Sequence, residues 1–115
     1  MTNIKFFKSK NENYFVGFVC SGHTGFDESG KDVLCATISG ITQSIVIGLK
    51  DVCGIKLKLK RIDKDGYIKV ELPKSISLDK LKESQILFET LYKSINDLME
   101  GYSEYISMEV IENVY

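Results

Sequence analysis

A single histidine, a single proline and no tryptophan occur in these 115 residues. Each scarcity narrows what the chain can be. Any chemistry that needs an imidazole must use His23. Pro73 leaves too little chain behind it for a second domain, and no repeat, low-complexity tract or linker divides the rest, so residues 1–115 are expected to fold as one domain. Cysteine is scarce and odd in number, with Cys20, Cys35 and Cys53 only. That argues against a disulfide framework, and each thiol reads as a small core residue, a ligand or a nucleophile. Charge of either sign is not in excess: 15 basic and 16 acidic residues give a net −1. The general electrostatic pull towards nucleic acid or anionic lipid is therefore missing. No apolar run is expected to span a bilayer, and Met1 to Lys8 contains no signal-peptide core. A cytoplasmic protein with no membrane partner and no direct nucleic-acid partner is expected.

Periodicity supplies the elements. Ile4 to Phe7 and Tyr14 to Cys20 are aromatic and β-branched around a polar run at 9–13, which predicts a hairpin. Residues 21–31 hold three glycines and no periodicity, the mark of a loop. From Asp32, a natural N-cap, Leu34, Ile38, Ile41, Ile45, Leu49 and Val52 recur at steps of three and four up to Gly54, a natural stop. Gly40, Ser44 and Gly48 form a small-residue groove on that helix. Residues 55–60 alternate Ile or Leu with Lys, predicting a strand with one buried and one wet face. Asp63-Lys64-Asp65-Gly66 makes a turn, since it lacks the carboxylates of a calcium loop, and Tyr67 to Leu72 returns as a strand. Ser77 or Asp79 caps a second helix through Leu81, Phe88, Leu91, Ile95 and Leu98 to Gly101, and Tyr105 to Ile111 is a last strand. The order ββαββαβ predicts an α+β two-layer sandwich, two helices on a mostly antiparallel sheet.

The chemistry concentrates between Gly22 and Ala36. With Asp32 as N-cap, Cys35 falls in the first helical turn, where the positive end of the dipole favours a thiolate. Free N–H groups of residues such as Leu34 to Ala36 would there face an oxyanion. The plain alternative is a thiol packed against the sheet. A loop with glycines at 22, 25 and 30 can fold His23 back towards Cys35, although a solvated loop histidine fits the same residues. Cys20-Ser21-Gly22-His23 has the spacing of a zinc ligand pair, with Cys35 and Cys53 to complete four ligands. A helix between the last two would hold them about 27 Å apart at ~1.5 Å per residue, so no closed four-ligand site forms. A three-ligand site with an open position stays as the weaker reading, and the expectation is a protein without metal or other cofactor.

Gly22-His23, Gly30, Asp32-Val33, Cys35-Ala36, Ser39 and Gly48-Leu49 together resemble the signature of the ribosomal-processing cysteine proteases, the Prp family. The resemblance implies an endopeptidase, usually a homodimer. Its substrate would be the N-terminal extension of the twenty-seventh large-subunit ribosomal protein, cut just after a phenylalanine. Carried over by position, Cys35 is the nucleophile and His23 the general base. Asp32 supports them, either orienting the histidine or capping the helix. Gly22, Gly30, Ala36 and Ser39 line the substrate. Cys20 is a further thiol near the site in sequence, and an oxidised pair with Cys35 would silence the enzyme reversibly. The competing reading keeps the fold as a non-catalytic, ribosome-associated interaction module, in which Cys35 would alkylate no faster than Cys20 or Cys53.

Overall fold

Alternating side chains set the first two strands. In β1 (Thr2–Ser9) Thr2, Ile4 and Phe6 are buried and Asn3 and Lys5 exposed, and β2 (Phe15–Ser21) buries Phe18 and Cys20 on the same face. The structure is a computed structural model that describes residues 2–10, 13–22, 31–62 and 66–114, with the side chains at 31, 32, 113 and 114 outside that description. The strands β3 (Lys58–Ile62), β4 (Tyr67–Glu71) and β5 (Ile106–Val114) complete one sheet of order β3-β4-β2-β1-β5. Every pairing is antiparallel except that of β1 with β5. With α1 (Lys31–Ile47) and α2 (Leu78–Tyr102), the order is the predicted ββαββαβ, two helices packed on a mostly antiparallel sheet.

Both helices cover one face. The buried sheet residues Ile4, Phe6, Phe18, Ile68, Val70 and Ile106 join Leu34, Ile38, Ile45 and Leu49 of the α1 segment and Phe88, Leu91 and Ile95 of α2 in a single core. Lys5 and Glu109, register partners on the other face, lie 3.8 Å apart and exposed, a pair worth at most about 1 kcal/mol. Burial of apolar side chains, not ion pairing, is what holds the layers together.

An aromatic cluster anchors α2. Phe88 meets Phe15 at 6.2 Å and Phe18 edge-on at 6.3 Å between ring centroids, and Phe6 adds edge contacts with Phe15 and Tyr92 at 5.5 Å each. The register of β1 against β2 slips after Phe7↔Gly17 to Lys8↔Phe15, so Val16 is a bulge residue whose carbonyl accepts from the Leu72 N–H at 2.9 Å. Gln85 of α2 meets the backbone there, accepting from the Phe15 N–H and donating to the Phe15 carbonyl, both at 2.8 Å. Next to the bulge, Gly17 lets β4 approach. A Cβ at this position would lie 2.5 Å from the Val70 carbonyl oxygen, whereas one at Gly40 would meet open space. Gly17→Ala is therefore expected to lower stability by about 1–3 kcal/mol by overpacking. Gly40→Ala should match or exceed the wild type, because alanine suits a helix interior better. Urea midpoints of the two variants check the contrast.

Several sequence expectations shift. The helix is already running at Lys31, so Asp32 lies in its first turn and is not its N-cap. Val52 is 79% exposed, because a π-helical turn (Gly48–Val52) adds a residue and rotates it off the stripe. Gly54, at φ 69°, follows as expected. Of the small-residue groove only Gly48 is used, where a Cβ would lie 2.9 Å from a Leu87 methyl; Gly40 and Ser44 face outwards. The third strand begins at Lys58, not Ile55, and is exposed along its whole length, because it is the outermost strand and the helical layer does not reach it. Ile55 is nevertheless buried. Ser77, not Asp79, caps α2, its Oγ accepting from the Lys80 N–H at 3.2 Å, and the helix runs through Gly101 to Tyr102. Contrary to expectation, Val33–Val52 is long and apolar enough, by length and composition, to cross a membrane. The composition has a local cause: Leu34, Ile38, Ile45 and Leu49 serve the core while Val33, Ile47 and Val52 are exposed. The turn at 63–65 and the loop at 23–30 lie outside the described residues, as does the tip of the first hairpin at 11–12.

Candidate active site

Helix α1 carries two stripes. Leu34, Ile38, Ile41 and Ile45 turn to the core. Cys35, Ile38, Ser39, Thr42 and Gln43, again at steps of three and four, face a cavity of about 360 Å³. Its opposite wall is the end of the sheet where four strands converge, with Thr2 from β1, Cys20 and Gly22 at the end of β2, Arg61 from β3, and Tyr67 and Ile68 from β4. The lining is mixed. Ile38, Ile68 and the Tyr67 ring offer apolar surface, and Thr42, Gln43 and Arg61 offer hydrogen bonds, a composition suited to a peptide.

The predicted residues fare differently. Cys35 is partly buried at the cavity, with Ser39 one turn beyond it. The Ser39 Oγ accepts from the Gln43 amide nitrogen at 2.7 Å, and its carbonyl accepts from the Thr42 hydroxyl at 3.0 Å. These bonds tie the cavity-facing polar groups of α1 to one another. Ala36 is exposed beside the cavity without lining it. Gly22 lines the cavity at φ 88°, a conformation that a side chain would strain. His23 and Gly30 lie outside the described residues, as does the side chain of Asp32.

One expectation about the thiol is corrected. With the helix running at Lys31, the carbonyls of Lys31 and Asp32 take the N–H groups of Cys35 and Ala36 into the helical ladder. Cys35 thus stands in the second turn, and its own amide and that of Ala36 are not free to hold an oxyanion. The dipole's influence also fades beyond the first turn.

Sequence reasoning left Cys20 open, and the structure brings it to Cys35's cavity. Burial pushes the Cys20 thiol from its ordinary 9.0 up to about 11, and the neighbouring Cys35 adds to the rise. Cys20 is therefore a neutral thiol at physiological pH. No local pattern marked Thr2, Arg61, Tyr67 or Ile68, because sheet order alone gathers them, whereas Thr42 and Gln43 follow from helical spacing after Cys35.

Residues 1–107 match the family model of the cysteine protease Prp. The chain belongs to this family. It is by family a cysteine protease. The chain is 22% identical over 107 residues to the ribosomal processing cysteine protease Prp of Bacillus subtilis (strain 168), covering 93% of this chain and 94% of that one. Among solved structures it resembles SMU.848 from Streptococcus mutans, at 24% identity and TM-score 0.84, covering 98% of this chain and 96% of that one. It also resembles the essential ribosomal processing protease Prp from S. aureus in complex with a covalently linked product peptide. There the identity is 19% and the TM-score 0.81, with 96% of this chain and 99% of that one covered. These likenesses bear out the predicted fold, and the family match bears out the predicted enzyme class.

Proposed function

We propose that this Prp-family protein removes the N-terminal extension of the twenty-seventh large-subunit ribosomal protein in the cytoplasm, with Cys35 as nucleophile and His23 as general base. One observation carries the pairing. Gly22 lines the cavity that Cys35 faces, and His23 is the next residue in the chain. The names of the Bacillus subtilis and S. aureus relatives support ribosomal processing, and the S. aureus product complex supports covalent catalysis.

In this mechanism His23 takes the proton from the Cys35 Sγ, and the thiolate attacks the carbonyl carbon of the scissile bond. The C–N bond breaks, His23 returns the proton to the departing amine, and a thioester remains. Water, deprotonated by His23, attacks the thioester and restores the thiol. Asp32, at the family's acidic position, is the supporting residue of this reading. The substrate lies extended along the cavity, its apolar side chain against Ile38, Ile68 and Tyr67 and its backbone within reach of Gln43 and Arg61. Incubation with a synthetic peptide of the ribosomal extension, followed by mass spectrometry, tests the assignment. The wild type is expected to yield one cut after phenylalanine and His23→Ala none. A His23→Ala variant that cuts at the wild-type rate overturns the dyad.

The same reading includes a homodimer. It is supported by the exposed apolar residues Val33, Ile47 and Val52 along the α1 segment, with Ile86 of α2 also exposed. Light scattering on the eluting protein should return a mass near twice 13.0 kDa, and Ile47→Glu should lower it towards the monomer. A wild-type mass of one chain at micromolar concentration sinks this part.

A further inference from the structure

The protease chemistry uses one thiol in the cavity and leaves the other idle. Cys20 is 5% exposed, on the helix-facing side of β2, and Cys35 is more open, on the facing turn of α1. Both line the same cavity, and neither is in a disulfide. We propose that Cys20 and Cys35 form an oxidative modification site, in which Cys20 traps the peroxide-oxidised Cys35 as an intramolecular disulfide that switches the protease off reversibly.

Its first step rests on the reactive Cys35 thiolate of the protease reading. The Cys35 Sγ attacks one oxygen of hydrogen peroxide. An S–O bond forms, the O–O bond breaks, and the leaving hydroxide becomes water, so peroxide is reduced by two electrons and Cys35 becomes a sulfenic acid. Cys20 then loses its proton and attacks the Cys35 Sγ. The S–S bond forms, the S–O bond breaks, and hydroxide leaves with that proton as a second water. Two thiols and one peroxide give one disulfide and two waters.

The placement suits the two roles. Cys35, the more accessible thiol, meets the oxidant. Cys20, buried and held as a neutral thiol, is a poor target for peroxide but sits where the sulfenic acid forms. Cys53 lies past the π turn at the other end of the α1 segment and serves as an internal control.

Wild-type protein, Cys20→Ala and Cys20→Ser are treated with hydrogen peroxide, then with dithiothreitol. Intact mass, non-reducing peptide maps and activity relative to each untreated variant are recorded. The wild type is expected to lose about 2 Da, to yield a linked Cys20–Cys35 peptide, and to regain activity with reductant. The Cys20 variants should instead gain about 32 Da at Cys35, as sulfinic acid, and stay inactive. Wild-type protein that accumulates sulfinic acid at Cys35 with no linked peptide overturns the proposal, as does a link that recruits Cys53. The wild-type map decides this even if both variants misfold. A chain that forms the Cys20–Cys35 link but cuts no ribosomal peptide supports the redox site and sinks the substrate reading instead.

Discussion

Cys35→Ala is expected to lower kcat/KM for the ribosomal peptide by about 10⁴-fold or more, the loss that follows removal of a catalytic nucleophile. Without the Sγ no thioester can form, and what remains is the cavity's ability to hold a peptide. The fold should survive, because Cys35 is only partly buried and its side chain is small. Its thermal midpoint is therefore expected within a few degrees of the wild type, since about 1 kcal/mol shifts a domain of this size by roughly 4–8 °C. Cys53→Ala is the matched control: it removes a partly buried thiol beyond the far end of α1 and should leave kcat/KM unaltered. Peptide cleavage followed by chromatography, with circular dichroism on each variant, makes the measurement. Cleavage by Cys35→Ala at a rate near that of the wild type would show that the nucleophile lies elsewhere.

Phe88→Ala has the largest expected effect on stability, about 3–5 kcal/mol. The ring is fully buried in α2 and lies against Phe15 and Phe18 of β2, so its loss opens a cavity where the helix meets the sheet. The neighbours cannot easily collapse into the gap. The Phe15 backbone is tied to α2 by the two Gln85 hydrogen bonds, and Phe18 is held in the middle of the sheet between β1 and β4. Since domains are stable by only about 5–15 kcal/mol, a third or more of the total would go. Urea denaturation should show a lower midpoint with an unaltered slope. A loss below about 1 kcal/mol would mean that the aromatic cluster repacks around the gap, contrary to this account.

The elements were largely legible because their causes are local. Alternation at Ile4 and Phe6 marks a half-buried strand, and Leu34, Ile38 and Ile45 mark a helix, whatever else surrounds them. Where a boundary depended on a neighbour, the reading slipped. Residues 55–60 alternate as a half-buried strand does, but β3 is at the sheet edge beyond the helical layer, so the lysines and Leu59 alike are exposed. Asp32 has the chemistry of an N-cap, yet the helix starts before it. Gly101 suits a helix stop, yet α2 runs one residue past it. Propensity ranks such residues at helix ends but does not choose between adjacent positions.

By itself the sequence determined the element order, the aromatic and aliphatic core and, through the pattern from Gly22-His23 to Ser39, the family and its candidate nucleophile. Those depend on residue types at short spacings. Tertiary structure alone decided which walls Cys35 faces. Thr2, Cys20, Arg61 and Tyr67 come from four strands and reach one cavity only because the sheet order is β3-β4-β2-β1-β5. It also decided that Cys35 stands two residues deeper in α1 than its capping pattern implied, beyond the first turn. Strand order and helix start are settled by packing across the whole chain, and no local run of residues encodes them.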